Sequence, residues 1–428
     1  MQKALRCLFQ RGTQNFHMNK SLQPLLSRRM ILFLIGLAFA EATRAMTAVQ
    51  IPVFLREIGA SVSQVGLFFT LAMIVPLVFG IFGGWISDSI GRLRAILFGS
   101  LAGILGYLPF AFASRWEVAL IGPAVLAVAT SLIQPSFRAY IADTCPAETR
   151  GRVFGLSKSF ITAAWILTPP LGGFLAMNFG SRTMFLAAVF LYSIAAVIFM
   201  FLLRSEKTKT SAPSEKPNLK SLRESFTQIF PIVFAGGLLT WILISEGIRI
   251  FATHLSFNLL PVYLSDIGQI DKQGIGILEG LHGIAWVIAG PIGGWLSDKS
   301  SERNGFMLGT AIFLSSFLVF ILAEGFGVFA LSWIIMGIGG AILDPAYNAL
   351  IARGAPAHLR GVAFALIPAL FGLVALPAPW IGGQIWEVTS PKIPFLATFL
   401  VGSLCLIPAW FKLRVTDAGT AAPAEPAQ

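Results

Sequence analysis

Chemistry in this 428-residue chain must come from a few polar side chains stranded in long apolar runs. An ionisable group at mid-bilayer depth costs roughly 2.5–3.5 kcal/mol even on a lenient scale, so each one is either neutralised by a partner or kept for function. Glu41 and Arg44 lie 11 and 14 residues into the first run, near mid-depth at about 1.5 Å of rise per residue. Spaced i, i+3, they share a helix face and can neutralise each other. Glu246 and Arg249 repeat the arrangement. Two readings stand for each pair: a substrate or proton site at the glutamate, or a self-satisfied ion pair holding helix geometry. Arg138 has only Gln134 within its own turn, so it is expected to meet an anionic group, or Asp344 across an interface. Asp344 has Tyr347 and Asn348 on the following turn, and Asn348 occupies the position equivalent to Arg138. Glu279 and His282 are again i, i+3, and His254 lies in another run. Histidine titrates near neutral pH and can couple proton movement, although a hydrogen-bonded structural role is the commoner one. Two metal-type ligands do not make a site, so no metal is assigned.

The elements carrying these residues follow from composition. Hydrophobic residues make up 56% of the chain and charged ones 12%, and the mean hydropathy is +0.77. A soluble fold cannot hide that much apolar surface, whereas a bilayer removes the need. Runs long enough to cross, at ~20 residues each, cover 30–56, 62–87, 94–113, 117–144, 152–178 and 183–203. They continue over 230–265, 273–297, 305–323, 327–353, 360–386 and 393–411. The fold class expected is all-α, with twelve transmembrane helices as two six-helix bundles (30–203 and 226–413) around a central cavity. Residues 1–29 read as a polar cytoplasmic tail rather than a signal peptide. Residues 204–225 read as a water-exposed linker and 414–428 as a disordered tail. Cys7, Cys145 and Cys405 form no CxxC pair, which argues against a disulfide or zinc framework.

Of the 31 Lys and Arg, 23 fall on one side of this map and five (Arg56, Arg115, Arg182, Lys272, Lys392) on the other. The positive-inside rule then puts both termini in the cytoplasm. The net charge of +11 is thus a topological address, and no nucleic-acid partner is expected.

The halves are copies. Gly83-Gly84-Trp85-Ile86-Ser87-Asp88 returns as Gly293-Gly294-Trp295-Leu296-Ser297-Asp298, at an offset of 210. Pro135, Pro146, Ala147, Arg150 and Gly151 return at the same offset, as do Pro169, Gly172 and Gly173. Glu41 and Arg44 return at 205, and Pro52 and Gly59 at 209, so a small insertion lies in the seventh helix. Six crossings per copy make parallel repeats, which enclose one cavity at their interface.

Gly84-x-x-x-Asp88-x-x-Gly91-Arg92-x-Arg94 resembles the signature loop of the major facilitator superfamily, between helices two and three, and the resemblance extends over all twelve helices. Ser89 stands where a basic residue usually follows the aspartate, and the second copy keeps Gly294, Asp298 and Lys299 without the Gly-Arg. The resemblance implies that helices one and seven line the cavity. It also implies that Asp88, Gly91 and Arg92 join Asp143, Glu148 and Arg150 in a latch closing the cytoplasmic side, with Asp298, Arg353 and Arg360 as a weaker echo. Proton-antiporting exporters of the family carry a Gly-rich motif on helix five. Pro169, Gly172 and Gly173 match its frame, Ala164 and Thr168 replace two of its glycines, and the Arg-x-x-Gln-Gly run of helix four is absent.

No Gly-Lys dipeptide, nucleophile elbow or HExxH occurs, which argues against a nucleotide-driven pump or a membrane enzyme. No cofactor is implied. The expectation is a secondary transporter of a bacterial inner or internal membrane, acting as a monomer and moving a small solute by alternating access. Proton-coupled efflux is the leading form. Two alternatives are transport of a metal ion or metal chelate such as iron in an internal bacterial membrane, and a non-transporting sensor with a carrier fold.

Overall fold

A computed structural model describes residues 27–205 and 219–413. Residues 1–26 of the expected N-terminal tail, the tail at 414–428 and most of the linker therefore lie outside the described residues, and residues 28–29, expected in the tail, already belong to the first helix. Twelve helical spans follow in order: α1 (Arg28–Ala48), α2 (Val62–Ile90), α3 (Arg92–Phe112), α4 (Trp116–Thr144), α5 (Ala147–Phe179) and α6 (Ser181–Ser205) form the first half. The second half contains α7 (Leu238–Asp266), α8 (Lys272–Lys299), α9 (Glu302–Ile321), α10 (Phe326–Gly354), α11 (Ala357–Val388) and α12 (Ile393–Lys412). Eleven of these are long and apolar enough to cross a membrane over their described residues, and in the twelfth, α2, the stretch Val62–Leu77 forms a shorter apolar helix. No strand occurs among the described residues. Large apolar side chains such as Phe112, Leu167, Phe190 and Ile288 are exposed, as a lipid-facing surface requires.

Three boundaries differ from the sequence reading. Residues 230–234 are not the start of the seventh helix but the end of a separate helix, Leu219–Phe234, which also takes over the last part of the expected linker. Gly236, at φ +80°, breaks the chain between them, a conformation glycine adopts at little cost. The first run bends at Val49, with Gln50–Glu57 continuing as a short helix. The insertion in α7 takes the form of a 3-10 turn, Phe257–Leu259, which is why the repeat offset grows from 205 to 209.

The halves meet along α5 with α8 and along α2 with α11. Glycines and prolines shape both seams, and they do so in register. A Cβ on Gly276 would fall on the carbonyl oxygen of Pro169, and one on Gly66 would fall on that of Pro379. Each of these residues is the repeat mate of another at offset 210. Within each half, Gly172 and Gly382 let α5 and α11 reach the backbone at Met46 and Leu255 in the same way. Small residues at such crossings are what allow helix backbones to touch where lipid provides no hydrophobic drive. The motif expected on helix five is therefore half of a two-fold device.

Candidate functional site

Glu41 and Arg44 lie on one face of α1. The Arg44 Nη1 donates to both Glu41 oxygens, at 3.0 and 3.1 Å. Gln134 of α4 donates to Glu41 Oε1 at 3.3 Å, and the Trp165 indole N–H of α5 to Oε2 at 3.4 Å. Thr168 ties α5 to α1 by donating to the Ala42 carbonyl at 2.9 Å. The Glu41 side chain is 5% exposed and that of Arg44 is 37% exposed. Arg44, with Thr47, Tyr107, Thr130, Trp165 and Tyr192, lines a cavity of about 170 Å³ inside the first half.

The repeated pair sits differently. The Arg249 Nε donates to Glu246 at 2.8 Å, and a second nitrogen donates to the other carboxylate oxygen. Here the arginine side chain is only 12% exposed, and the Phe313 ring lies over it at 5.5 Å. Phe313 is the repeat mate of Gly103, which in the first half makes room for the Tyr192 ring. The sequence pairing is thus realised twice, with the arginine of the first copy lining a cavity and that of the second largely covered.

The other predicted residues are placed as follows. Asn348 donates to Asp344 Oδ1 at 3.2 Å and to its carbonyl at 2.8 Å. Arg138 is exposed and makes no ion pair among the described residues, so the expected Arg138–Asp344 meeting is not formed here. Glu279 accepts from the Trp333 indole at 3.3 Å. His282 stacks on Trp286 at 6.1 Å, and the Nδ1 atoms of His254 and His282 are buried without a hydrogen-bond partner. No group of three His, Cys, Asp or Glu side chains converges among the described residues, so the metal-cargo reading gains no site.

At the end carrying the excess Lys and Arg, here called the basic end, Arg92 pairs with Asp143 at 3.5 Å. Gly91 makes the α2–α3 turn at φ +95°, a conformation costly for any residue with a side chain. Its repeat mate Ser301 instead caps α9, accepting from the Asn304 N–H, so the second copy needs no Gly-Arg. The echo is Glu302 with Arg353 at 2.7 Å. These are the repeat mates of Arg92 and Asp143 with the charges exchanged, a relation invisible until the pairs are seen in space. The side chains of Asp88 and Asp298 lie outside the described ones. Arg150 donates to the Cys145 carbonyl at 3.5 Å, Glu148 and Arg360 are exposed, and burial pushes the Cys145 thiol up, with Arg150 acting in the opposite direction.

Sequence reading missed the far end, opposite the basic one. Arg56 pairs with Asp266 at 2.9 Å and Lys272 pairs with Glu57, both between halves. Lys272 also donates to Ser181 at 3.0 Å, Glu387 accepts from the Ser63 N–H at 2.9 Å, and Gln50 donates to the Lys272 carbonyl at 3.0 Å. Among the described residues, the ion pairs between the halves lie at the far end.

The family model of the Major Facilitator Superfamily matches residues 33–268 and 242–428. An uncharacterized MFS-type transporter, YqjV of Bacillus subtilis, is 26% identical over 87% of this chain and 90% of its own. The multi-drug resistance efflux pump PmrA of Streptococcus pneumoniae is 24% identical over 83% and 87%. The crystal structure of a peptide transporter, POT, in complex with sulfate superposes with a TM-score of 0.71 at 15% identity, over 90% of this chain and 93% of that one.

Proposed function

The chain belongs to the major facilitator superfamily, and on that premise we propose that it is a proton-coupled secondary carrier exporting a small solute by alternating access. The observation that carries this reading is the duplicated intramembrane carboxylate–arginine pair. One copy borders a cavity and the other is sealed, in a molecule whose halves are joined at one end. Protonating a paired carboxylate dissolves an ion pair at mid-depth, and a transmembrane gradient can drive such a change. Glu246 is the proposed proton site, because its partner Arg249 has almost no exposed surface for a solute. Arg44 marks the solute side.

The charge bias supports a basic end that faces the cytoplasm, and with the halves tied together at the far end this state would load solute from inside a bacterial inner membrane. The similarity to PmrA, an efflux pump by name, supports the outward direction. Closing the basic end is assigned to Asp88, Arg92 and Asp143, with Glu302 and Arg353 on the other half.

The test is flux in proteoliposomes for a panel of drugs, sugars, amino acids and metal ions, with and without an imposed pH gradient. Gradient-driven flux that disappears in Glu246→Gln supports the reading. Absence of flux for every class under every gradient would favour a non-transporting sensor. Unchanged flux in Asp88→Asn would remove the basic-end latch from the account.

A further inference from the structure

We propose that the cavity at Arg44 is a subsite for a carboxylate group of the transported solute. This rests on the reading of the chain as a solute carrier and adds the chemistry of what it recognises.

Four observations converge. First, Arg44 uses a single nitrogen, Nη1, to hold Glu41, while 37% of its side chain is exposed at the wall of the cavity. The remaining edge of the guanidinium keeps the parallel N–H donors that match a carboxylate. Second, Glu41 is closed to a cationic solute. Its 5%-exposed side chain already accepts from Arg44, Gln134 and Trp165. The charged group that a solute meets here is therefore the cation.

Third, the walls combine aromatic and polar residues around the open guanidinium. Tyr107, Thr130, Trp165 and Tyr192 are among the lining residues, and the Arg44 guanidinium itself lies over the Trp165 ring at 6.0 Å. The cavity volume of about 170 Å³ falls below the roughly 300–1,000 Å³ typical of a whole ligand pocket. It fits one functional group with an attached ring, which makes it a subsite.

Fourth, the repeat supplies an internal control. At offset 210, the lining residues Tyr107, Thr130, Trp165 and Tyr192 become Phe317, Gly340, Ala375 and Gly402. In the second half the Trp286 ring packs on Gly340 and Phe313 covers Arg249. Tyr347 is the polar residue near the second pair, but there the arginine is covered. The open arginine and the lining of two tyrosines, a threonine and a tryptophan occur together in the first half.

Equilibrium binding of radiolabelled benzoate to nanodisc-reconstituted full-length protein tests this, with unlabelled benzoate and benzamide as competitors at neutral pH. The two share a shape, but only benzoate carries a charge. Benzoate is expected to compete at least about tenfold better, as charge-assisted hydrogen bonds imply. The preference should vanish when Glu41→Gln and Arg44→Gln are combined, a change that removes both charges together. Tyr192→Phe, which deletes only a hydroxyl, should weaken benzoate several-fold and leave benzamide unchanged. Equal competition by benzamide, no saturable binding, or a preference that survives the double substitution would each overturn the subsite. The assay involves no gradient and no flux. Carboxylate preference without flux would defeat the carrier reading alone, and flux without carboxylate preference would defeat the subsite alone.

Discussion

At the residue scale, the two ion pairs have equal chemistry and unequal surroundings, and stability should report the difference. Glu246→Ala strands Arg249, 12% exposed, and removing one partner of a buried pair costs about 3–5 kcal/mol. Glu41→Ala leaves Arg44, at 37% exposure, able to reach water in the cavity, so the loss should be clearly smaller. Thermal unfolding of the detergent-solubilised variants compares them, and equal losses would mean that exposure is not what separates the pairs. Spacing alone identified both pairs, because i, i+3 partners are local. It could not identify Gln134 and Trp165, which reach Glu41 from 93 and 124 residues away. Nor could it find Arg56 with Asp266, which belong to different halves. Such partners are set by helix packing, and no local pattern encodes them.

At the element scale, the twelve crossings and the duplication were legible because apolar length and repeated Gly and Pro survive in one dimension. The breaks were harder to read. The helix Leu219–Phe234 and the 3-10 turn in α7 interrupt apolar runs without changing their hydropathy. The Pro-x-x-Gly-Gly frame on α5 was visible as a close-packing signal, but its equal use on α11 emerges only from contacts. A side chain at Gly276 must displace the Pro169 carbonyl, which is backbone and cannot rotate away. In a protein carrying cysteines at Arg56 and Asp266, Gly276→Ala should sharply lower disulfide formation across the far end. The same change at Gly290, where nothing lies within 4 Å, should have no effect. Equal cross-linking in both would remove the seam's role in closure.

At the scale of the whole molecule, two halves tied together at the far end are proposed to form one of the two states that alternating access requires. Arg56–Asp266 and Lys272–Glu57 hold that state. The charge-exchanged pairs Arg92–Asp143 and Glu302–Arg353 stand ready at the opposite end. Rocking predicts that the two ends move in opposite senses, because each half behaves as a packed body turning about the glycine seams. The most direct test is pulsed electron–electron distance measurement on two spin-label pairs at repeat-related exposed positions. One pair, Ala147 with Ala357, reports the basic end, and the other, Ser114 with Glu324, the far end. Disabling the far-end contacts by Asp266→Asn and Lys272→Met should lengthen the Ser114–Glu324 distance and shorten the Ala147–Ala357 distance in the same sample. Distances that change in the same sense, or a far end that opens while the basic end stays fixed, would contradict alternating access by this molecule.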